Sequence, residues 1–163
     1  RFVRAPSASS PCDEVVLAEP PHHEKLLDIA GRCFTRSRFH LDELITPEQA
    51  DRIKREWLRN CLEGRRGLGE LVALDAKEEP VGFLAVSANA SARVVDLLAV
   101  APEQQGRGIG HKLLSGFVSF SPRLPLRATT LLSNTAARHL YGSCGFRGLS
   151  PRTYVLHLHR GVQ

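Results

Sequence analysis

The sequence lacks the patterns that mark several common classes of protein. It has only four cysteines in 163 residues, and no two of them form a C-x-x-C pair, so neither a zinc site nor a redox dithiol is predicted. Reduced thiols in a cytoplasmic protein are the expected state. No apolar run approaches the roughly 20 residues of a membrane span, and residues 1–12 lack the apolar core of a signal peptide. We therefore expect a cytoplasmic protein without membrane contact.

Signals for metal and nucleic acid are equally sparse. His157 and His159 share the spacing of one strand face, but no third ligand accompanies them, so no metal is predicted. The net charge is +5, yet the basic residues are scattered and no aromatic residues alternate with them. This favours attraction to anionic small molecules over binding of nucleic acid. A nucleic-acid-binding domain stays as an alternative, which a steep salt dependence of DNA binding would support.

A strand, a glycine-rich turn and a helix follow one another in the middle of the chain. Val94–Val100 is apolar except for Asp96, which is typical of a strand buried on both faces. Three glycines within five residues come next, Gly106, Gly108 and Gly110, before an apolar pattern with helical spacing. Such a turn presents free backbone N–H groups to an anion at the start of a helix. It predicts a phosphate site; the alternative is a plain glycine-rich connection.

The spacing of these glycines shows which of the known phosphate-binding motifs the turn matches. The third glycine of G-x-G-x-x-G would fall on His111, and the Gly-Lys-Ser/Thr that a P-loop carries after four spacer residues is absent. Gln105–Gly110 instead resembles the Q/R-x-x-G-x-G/A pyrophosphate loop of the GCN5-related N-acetyltransferases, the GNAT family. Leu98–Pro102 is similar to the L-x-V-x-P strand end before that loop, and Asn134–Phe146 resembles the family's N-x-x-A-x-x-L-Y-x-x-x-G-F signature. The chain is thus identified as a member of this family.

The resemblance implies an α/β (α+β) fold with a mixed, mostly antiparallel sheet flanked by about four helices, two on each side. The central strand is expected to be bulged and to part from its neighbour. Residues 1–12 are predicted to be a flexible lead or an edge arm, and residues 13–163 a single domain of this fold. The predicted strands are Val15–Ala18, Glu70–Leu74, Val81–Ser87, Val94–Val100, Leu126–Leu132 and Thr153–His159, and the predicted helices are His22–Phe34, Thr46–Gly64, Gly110–Phe120 and Asn134–Tyr141.

The same resemblance implies acetyl-CoA as co-substrate. Pantetheine would pair with the strand backbone as an added strand does, and the Leu98 N–H would polarise the thioester carbonyl. Main-chain amides of the glycine turn would hold the pyrophosphate, with Arg107 and Lys112 adding positive charge. The full predicted set for acetyl-CoA is Leu98, Ala99, Val100, Gln105, Gly106, Arg107, Gly108, Ile109, Gly110, His111, Asn134 and Tyr141.

Three residues are assigned chemical roles, each beside a structural alternative. Tyr141 matches the family tyrosine that gives a proton to the departing sulfur, or it packs on the sheet beside Phe146. Asn134 matches a position that bonds pantetheine or orders water, and it also suits an N-cap. Asp96 is costly to bury unpaired, so it is either a base for the acceptor amine, in some cases through water, or half of an ion pair with an arginine.

The segment Ser37–Asp42 resembles the corresponding stretch of sugar-nucleotide N-acetyltransferases of the TDP-fucosamine type. Arg36 and Arg38 can hold a pyrophosphate, Phe39 can stack on a base or sugar, and Asp42 can orient the amine. The alternative is a capped loop whose Phe39 fills the core. The predicted acceptor-binding residues are Arg36, Arg38, Phe39, His40 and Asp42.

The sequence therefore predicts an acetyl-CoA-dependent N-acetyltransferase that transfers the acetyl group by direct attack of a primary amine in a ternary complex. An amino-sugar nucleotide is one acceptor; a protein N-terminus, a lysine or another small amine is the close variant. A non-catalytic acyl-CoA-binding module is the alternative from another class. Neither nucleic acid nor membrane is an expected partner, and a homodimer is left open.

Overall fold

The computed structural model describes residues 2–4, 15–75, 77–89, 92–120 and 125–148. The final predicted strand, Thr153–His159, lies outside these residues, as do Cys12, His157 and His159. Among the described residues, no helix combines the length and the apolar character needed to cross a bilayer.

The described residues form a seven-stranded sheet. Its strands are β1 (Phe2–Arg4), β2 (Val15–Leu17), β3 (Gly69–Leu74), β4 (Pro80–Asn89), β5 (Ala92–Val100), β6 (Leu126–Ala128) and β7 (Arg147–Gly148). They lie in the order β2-β3-β4-β5-β6-β1-β7. The β5–β6 pair is parallel, and the other neighbouring pairs are antiparallel. The predicted mixed, mostly antiparallel sheet is confirmed.

Two helices cover each face of the sheet, as predicted. The helices are α1 (His23–Cys33), α2 (Pro47–Leu62), α3 (Ile109–Phe120) and α4 (Thr135–Ser143), with short 3-10 turns at Pro20–His22 and Pro102–Gln104. On one face α1 and α2 pack on Phe83, Leu97 and Ala99. On the other, α3 and α4 pack on Leu84 and Val95. Over residues 83–86 of β4, even and odd positions thus belong to separate cores, as the two-residue period of a strand requires.

Helix α2 begins at the capping box that the sequence predicts. Thr46 accepts a hydrogen bond from the Gln49 backbone N–H at 3.3 Å, and the Gln49 side chain accepts one from the Thr46 N–H at 2.9 Å. Pro47 occupies the first helical position, where a missing N–H removes no helical bond. This start fixes which residues of α2 face the sheet.

One sequence prediction is wrong at the far side of the sheet. The strand predicted over Leu126–Leu132 ends at Ala128, because the chain turns at Leu131, whose carbonyl accepts the Asn134 N–H at 3.1 Å. Leu132 is left 85% exposed. Phe2–Arg4, within the predicted lead or edge arm, forms β1 between β6 and β7. A three-residue strand with long-range partners has no local pattern from which to be predicted.

Candidate active site

The central strand is bulged, and it parts from its neighbour at the same point. Ala85 of β4 pairs with Leu97 while Val86 pairs with Val95, so Asp96 is the extra residue of a β-bulge. The parallel pairing with β6 takes in Arg93, Val94 and Val95. Among the described residues, no residue of β6 pairs with β5 beyond Val95, and we call the edge of residues 96–100 that lacks a strand partner there the gap. The predicted splayed and bulged central strand is confirmed.

The hydrogen-bonding direction of this segment follows from its contacts with β4. The Ala101 N–H donates to Val81 O at 2.9 Å, and a Cβ added to Gly82 would lie 2.9 Å from Ala99 O. Residues 99 and 101 therefore direct their polar groups at β4. Because alternate residues of a strand point to opposite edges, Leu98 and Val100 direct theirs toward the gap.

The Val100 carbonyl in this gap is bonded to two side chains. It accepts a hydrogen bond from the Gln105 amide Nε2 at 3.1 Å and one from the Cys33 thiol at 3.4 Å. The first bond ties the glycine turn back to the end of β5. The second ties the end of α1 to the same carbonyl, and burial raises the pKa of the Cys33 thiol to about 11, which keeps it a donor. Both contacts fix the geometry around the gap.

The glycine turn is exposed and leads directly into α3. Gly106 and Gly108 have φ of +77° and +78°, in the left-handed region that residues with a Cβ rarely adopt. Nothing lies within 4 Å of a Cβ added to either one. The Gly108 carbonyl accepts the Lys112 N–H at 3.1 Å, which closes the first helical turn. The first N–H groups of α3 have no partner within the helix and open beside this free space.

Gly110 and His111 join α3 to α4. A Cβ on Gly110 would lie 3.0 Å from Leu140 Cδ2, so this glycine permits close packing of the two helices. The His111 ring lies 2.7 Å from the Ser143 hydroxyl and 3.4 Å from the Cys144 sulfur. The side chain of His111 is therefore committed to α4, and its predicted contact with acetyl-CoA rests on its backbone N–H.

Tyr141 lies on the α3/α4 face of the sheet. It is 5% exposed and belongs to the core cluster against which Leu98 and Val100 pack. Its ring contacts Phe146 at 5.5 Å between centroids, so the predicted packing alternative is confirmed. Burial raises the pKa of the Tyr141 phenol to about 12, because an anion is disfavoured away from water. The hydroxyl accordingly holds its proton at neutral pH, and its role toward sulfur stays a prediction.

Asn134 acts as the N-cap of α4. Its side-chain oxygen accepts a hydrogen bond from the Ala137 N–H at 3.0 Å, which satisfies one of the free donors of the first turn. The capping alternative is thus confirmed, and the predicted contact with pantetheine stays a prediction.

Asp96 forms the ion pair that the sequence left as an alternative to a base. Its carboxylate accepts hydrogen bonds from Arg66 Nε at 2.7 Å, Arg66 Nη2 at 3.2 Å and Trp57 Nε1 at 2.9 Å. The Asp96 side chain is 11% exposed. A nearly buried carboxylate with three donors is strongly committed to them. Its role as a base is still a prediction, and it would act through water.

The predicted acceptor segment divides into binding candidates and structural residues. Arg38 lies over the Phe39 ring at 4.7 Å, and this ring meets Trp57 edge-on at 6.5 Å. His40 bonds Ser37 Oγ at 2.7 Å and Asp51 Oδ1 at 3.0 Å, which attaches the segment to α2.

The two remaining residues of the predicted set do not join this cluster. Asp42 accepts the Leu44 N–H at 3.0 Å in a local turn. Arg36 is exposed. The structure therefore brings Arg38 and Phe39 to the Asp96 region, while His40 and Asp42 shape the loop.

A groove of about 640 Å³ runs along the outer face of α2, next to Trp57 and Arg66. Leu44, Ile45 and Ile53 supply apolar lining, and Arg52 adds a second guanidinium. The groove therefore adjoins the two residues that hold Asp96. Across the described ranges, His, Cys, Asp and Glu side chains nowhere gather in a group of three able to hold a metal ion.

Sequence reasoning missed Lys54, Trp57 and Arg66. Lys54 is only 7% exposed, and it occupies the buried face of α2 with Ala50, Leu58 and Cys61. A lysine in an apolar stripe with helical spacing is a signal that the sequence does contain. The contact of Trp57 and Arg66 with Asp96 crosses 39 and 30 residues of chain, and no local pattern encodes it.

A family model described as an acetyltransferase (GNAT) domain matches residues 37–159, well over half of the chain. The chain belongs to the GNAT acetyltransferase family. The predicted family is thereby confirmed, and the matched region is an acetyltransferase (GNAT) domain.

A curated relative and two solved structures agree with this assignment. The spore coat polysaccharide biosynthesis protein SpsD of Bacillus subtilis (strain 168) is 30% identical over 131 residues, which cover 78% of this chain and 45% of that protein. The chain thus spans less than half the length of this relative.

The ribosomal-protein-S18-alanine N-acetyltransferase of Escherichia coli superposes with a TM-score of 0.61 at 19% identity, over 83% of this chain and 78% of that one. A structure described as histone acetyltransferase HPA2 and related acetyltransferase, from Corynebacterium glutamicum ATCC 13032, gives 0.66 at 19% identity, over 85% and 88%. At this level of identity the two structures establish the shared fold.

Proposed function

We propose that this protein transfers the acetyl group of acetyl-CoA to the primary amine of an amino-sugar nucleotide, by direct attack in a ternary complex. The observation that supports the proposal is that the Leu98–Val100 end of β5 is linked both to the glycine turn and to Tyr141. Gln105, at the start of the turn, donates to Val100 O at 3.1 Å, and Leu98 and Val100 pack against the core cluster that contains Tyr141.

Acetyl-CoA binding is supported by the free space and the free donors around the gap. The open positions beside Gly106 and Gly108 leave room for a diphosphate against the first amides of α3. Pantetheine would then follow the exposed edge of β5 toward Leu98, pairing with its backbone. Gln105 holds the turn to Val100, so the phosphate site and the pantetheine edge keep a fixed separation.

The transfer step needs three groups at the thioester. The acceptor nitrogen attacks the carbonyl carbon, a C–N bond forms, and the C–S electron pair leaves with sulfur. The Leu98 N–H, directed toward the gap, is suited to stabilise the carbonyl oxygen as it gains charge. Tyr141 gives its proton to the departing sulfur. Burial disfavours a thiolate as well as a phenolate, so the raised pKa of Tyr141 does not oppose this transfer.

The acceptor proposal is supported by charge on the α1/α2 side. Arg52 within the groove and Arg38 beside it offer guanidinium groups, a donor geometry that matches phosphate oxygens. The Phe39 ring lies against the Arg38 guanidinium at 4.7 Å and supports its orientation. The name of the SpsD relative assigns that protein to polysaccharide biosynthesis, in keeping with a sugar-derived acceptor here.

A panel of amines assayed with acetyl-CoA for thiol release tests the proposal. The panel contains amino-sugar nucleotides, the same amino sugars without nucleotide, peptides with a free N-terminus or a lysine, and a polyamine. We expect the highest kcat/KM for an amino-sugar nucleotide. If peptides are the best substrates, the proposed amino-sugar nucleotide acceptor is wrong and the acceptor is a protein amine. Tight acetyl-CoA binding without release for any amine would support a non-catalytic module instead.

The Arg38→Ala variant should raise the KM for the acceptor by about 10- to 100-fold, the loss expected for one charge-assisted hydrogen bond. The KM for acetyl-CoA should stay unchanged, because Arg38 lies on the α1/α2 side of the sheet. Steady-state kinetics with each substrate varied in turn measures both values.

Arg138→Ala is the matched control for this experiment. It removes the same charge from an exposed position on α4 and should leave both KM values near wild type. An equal rise of the acceptor KM in both variants would mean that the net positive charge of the protein, rather than a specific contact with Arg38, attracts the acceptor.

A further inference from the structure

The ammonium group of Lys54 lies inside a cage of three aromatic rings. Its Nζ atom is 4.8 Å from the centroid of Phe34, 4.9 Å from that of Trp57 and 5.5 Å from that of Phe39. In the described residues, Lys54 is the one charged side chain buried to this degree, at 7% exposed. A lysine is rarely buried without an ion pair, so this position calls for an explanation beyond packing.

The cage lies over the bulged part of the central strand. Phe34 directly follows Cys33, whose thiol donates to Val100 O, and Trp57 donates to Asp96. Trp57 is therefore bonded to one end of the segment 96–100, and the residue before Phe34 is bonded to the other end. Leu98, whose backbone faces the gap, is the middle residue of that segment. Phe34 and Trp57, two of the rings around Lys54, pack in the α1/α2 core, opposite the core that holds Tyr141.

The charged groups around Lys54 come from each element packed against it. Arg38 comes from the segment after α1, Asp96 from β5, and Arg66 from the turn after α2, across the Trp57 ring at 4.6 Å. The end of α1 contributes the Cys33 thiol and, as its C-cap residue, the Phe34 ring. One turn before Lys54, Asp51 of α2 bonds the His40 ring. Asp96 is engaged by Arg66, so it does not form a salt bridge with Lys54.

Two opposing influences set the proton affinity of this amine. The ring faces attract a cation and hold the side chain in place. Burial and the neighbouring Arg38 charge act more strongly in the other direction and lower the pKa of Lys54 to about 8. A substantial fraction of Lys54 is then neutral near physiological pH, which exposed lysines are not.

We propose that Lys54 is the group that accepts the proton from the acceptor amine when this amine attacks the thioester. The inference depends on the proposed function. As the C–N bond forms, the proton of the attacking nitrogen passes to neutral Lys54 Nζ, while the C–S pair leaves with sulfur and takes the Tyr141 proton. Lys54 then gives its proton to water and the Tyr141 phenolate takes a proton from water, so both side chains regain their starting states and the products are the amide and the free CoA thiol. We assign this role to Lys54 rather than to Asp96 because the Asp96 carboxylate already accepts hydrogen bonds from Arg66 and Trp57.

Two substitutions at Lys54 distinguish a role as proton acceptor from a role that needs only its positive charge. Lys54→Met keeps an unbranched, apolar chain in the cage, and Lys54→Arg keeps the positive charge but cannot lose its proton near neutral pH. We expect both to lower the single-turnover rate by about 100-fold or more, with the acetyl-CoA Kd unchanged. Lys25→Met, which removes an exposed lysine from α1, is the control and should keep the wild-type rate.

The pH profile gives a readout that a structural role would not change. The wild-type rate should rise with pH through about 8, and this limb should stay in place when the acceptor is replaced by one whose amine has a different pKa. In the Lys54 variants the limb near pH 8 should be absent, and the pH dependence that is left should shift with the pKa of the acceptor amine.

Protein stability gives a second test of the Lys54 pKa. Folded Lys54 binds fewer protons than unfolded lysine between pH 8 and 10.5. The unfolding free energy of wild type relative to Lys54→Met should therefore rise with pH over that interval.

The outcomes distinguish this inference from the function on which it depends. If wild type releases no thiol with any amine of the panel, the proposed function fails. If wild type is active and Lys54→Arg is nearly as fast, the site needs a cation, and the inference about Lys54 is wrong. It is equally wrong if Lys54→Met keeps the limb near pH 8, or if Lys54→Met loses acetyl-CoA binding together with activity.

Discussion

The Gly108→Val variant should lose acetyl-CoA binding, with a Kd raised by about 100-fold or more. Gly108 has φ of +78°, and nothing in the protein lies within 4 Å of an added Cβ. An added Cβ would therefore meet no protein atom, but the valine side chain would enter the space that a diphosphate needs beside the first amides of α3. Isothermal titration with acetyl-CoA measures the effect.

Gly64→Val is the control for backbone strain. Gly64 has a similar φ of +70° and the same open surroundings, but it follows α2 on the other face of the sheet. Both variants should lose about 1–3 kcal/mol of stability from a β-branched residue in the left-handed region. The Gly64 variant should still bind acetyl-CoA like wild type. Equal affinities of the two variants would mean that the phosphate site lies elsewhere.

The Tyr141→Phe variant should lower kcat by about 100- to 1,000-fold, within the range for loss of a general acid. The acetyl-CoA Kd should stay close to that of wild type, because the ring and its contact with Phe146 are kept. An interaction used only in the transition state lowers kcat and kcat/KM together. Steady-state kinetics and titration with acetyl-CoA provide the two measurements.

Phe146→Leu separates packing from proton donation. This change alters the neighbour of Tyr141 but keeps the hydroxyl, so kcat should fall far less than in Tyr141→Phe. Equal losses would assign Tyr141 to packing alone. Because burial raises the pKa of Tyr141 to about 12, its ionisation should cause no loss of activity at a pH well below that value.

Periodic segments of this fold could be predicted from the sequence, and short strands could not. Helix α2 was predicted from its capping box and its 3.6-residue period, and it ends two residues before the predicted Gly64. The strand over Val94–Val100 was predicted because apolar residues dominate it, and it begins two residues earlier, at Ala92. Phe2–Arg4 and Arg147–Gly148 form strands only through distant partners, which a local pattern does not report.

In the candidate site as well, features formed by neighbouring residues could be predicted from the sequence, and features formed by residues far apart in the chain could not. The glycine turn is local, and its two positive φ angles agree with the glycines that the sequence supplies. The Asp96 partners are distant in sequence, so no local pattern identifies its ion pair with Arg66. Lys54 acquires its character from rings that three different segments bring together. Its chemistry is a property of the fold.

A crystal structure with acetyl-CoA tests the central claim most directly. The account predicts diphosphate oxygens within hydrogen-bonding distance of the main-chain N–H groups of the Gly106–Gly110 turn. It also predicts the thioester carbonyl at the Leu98 N–H, with its sulfur beside the Tyr141 hydroxyl. Acetyl-CoA bound away from this turn, or a thioester out of reach of both Leu98 and Tyr141, would contradict it.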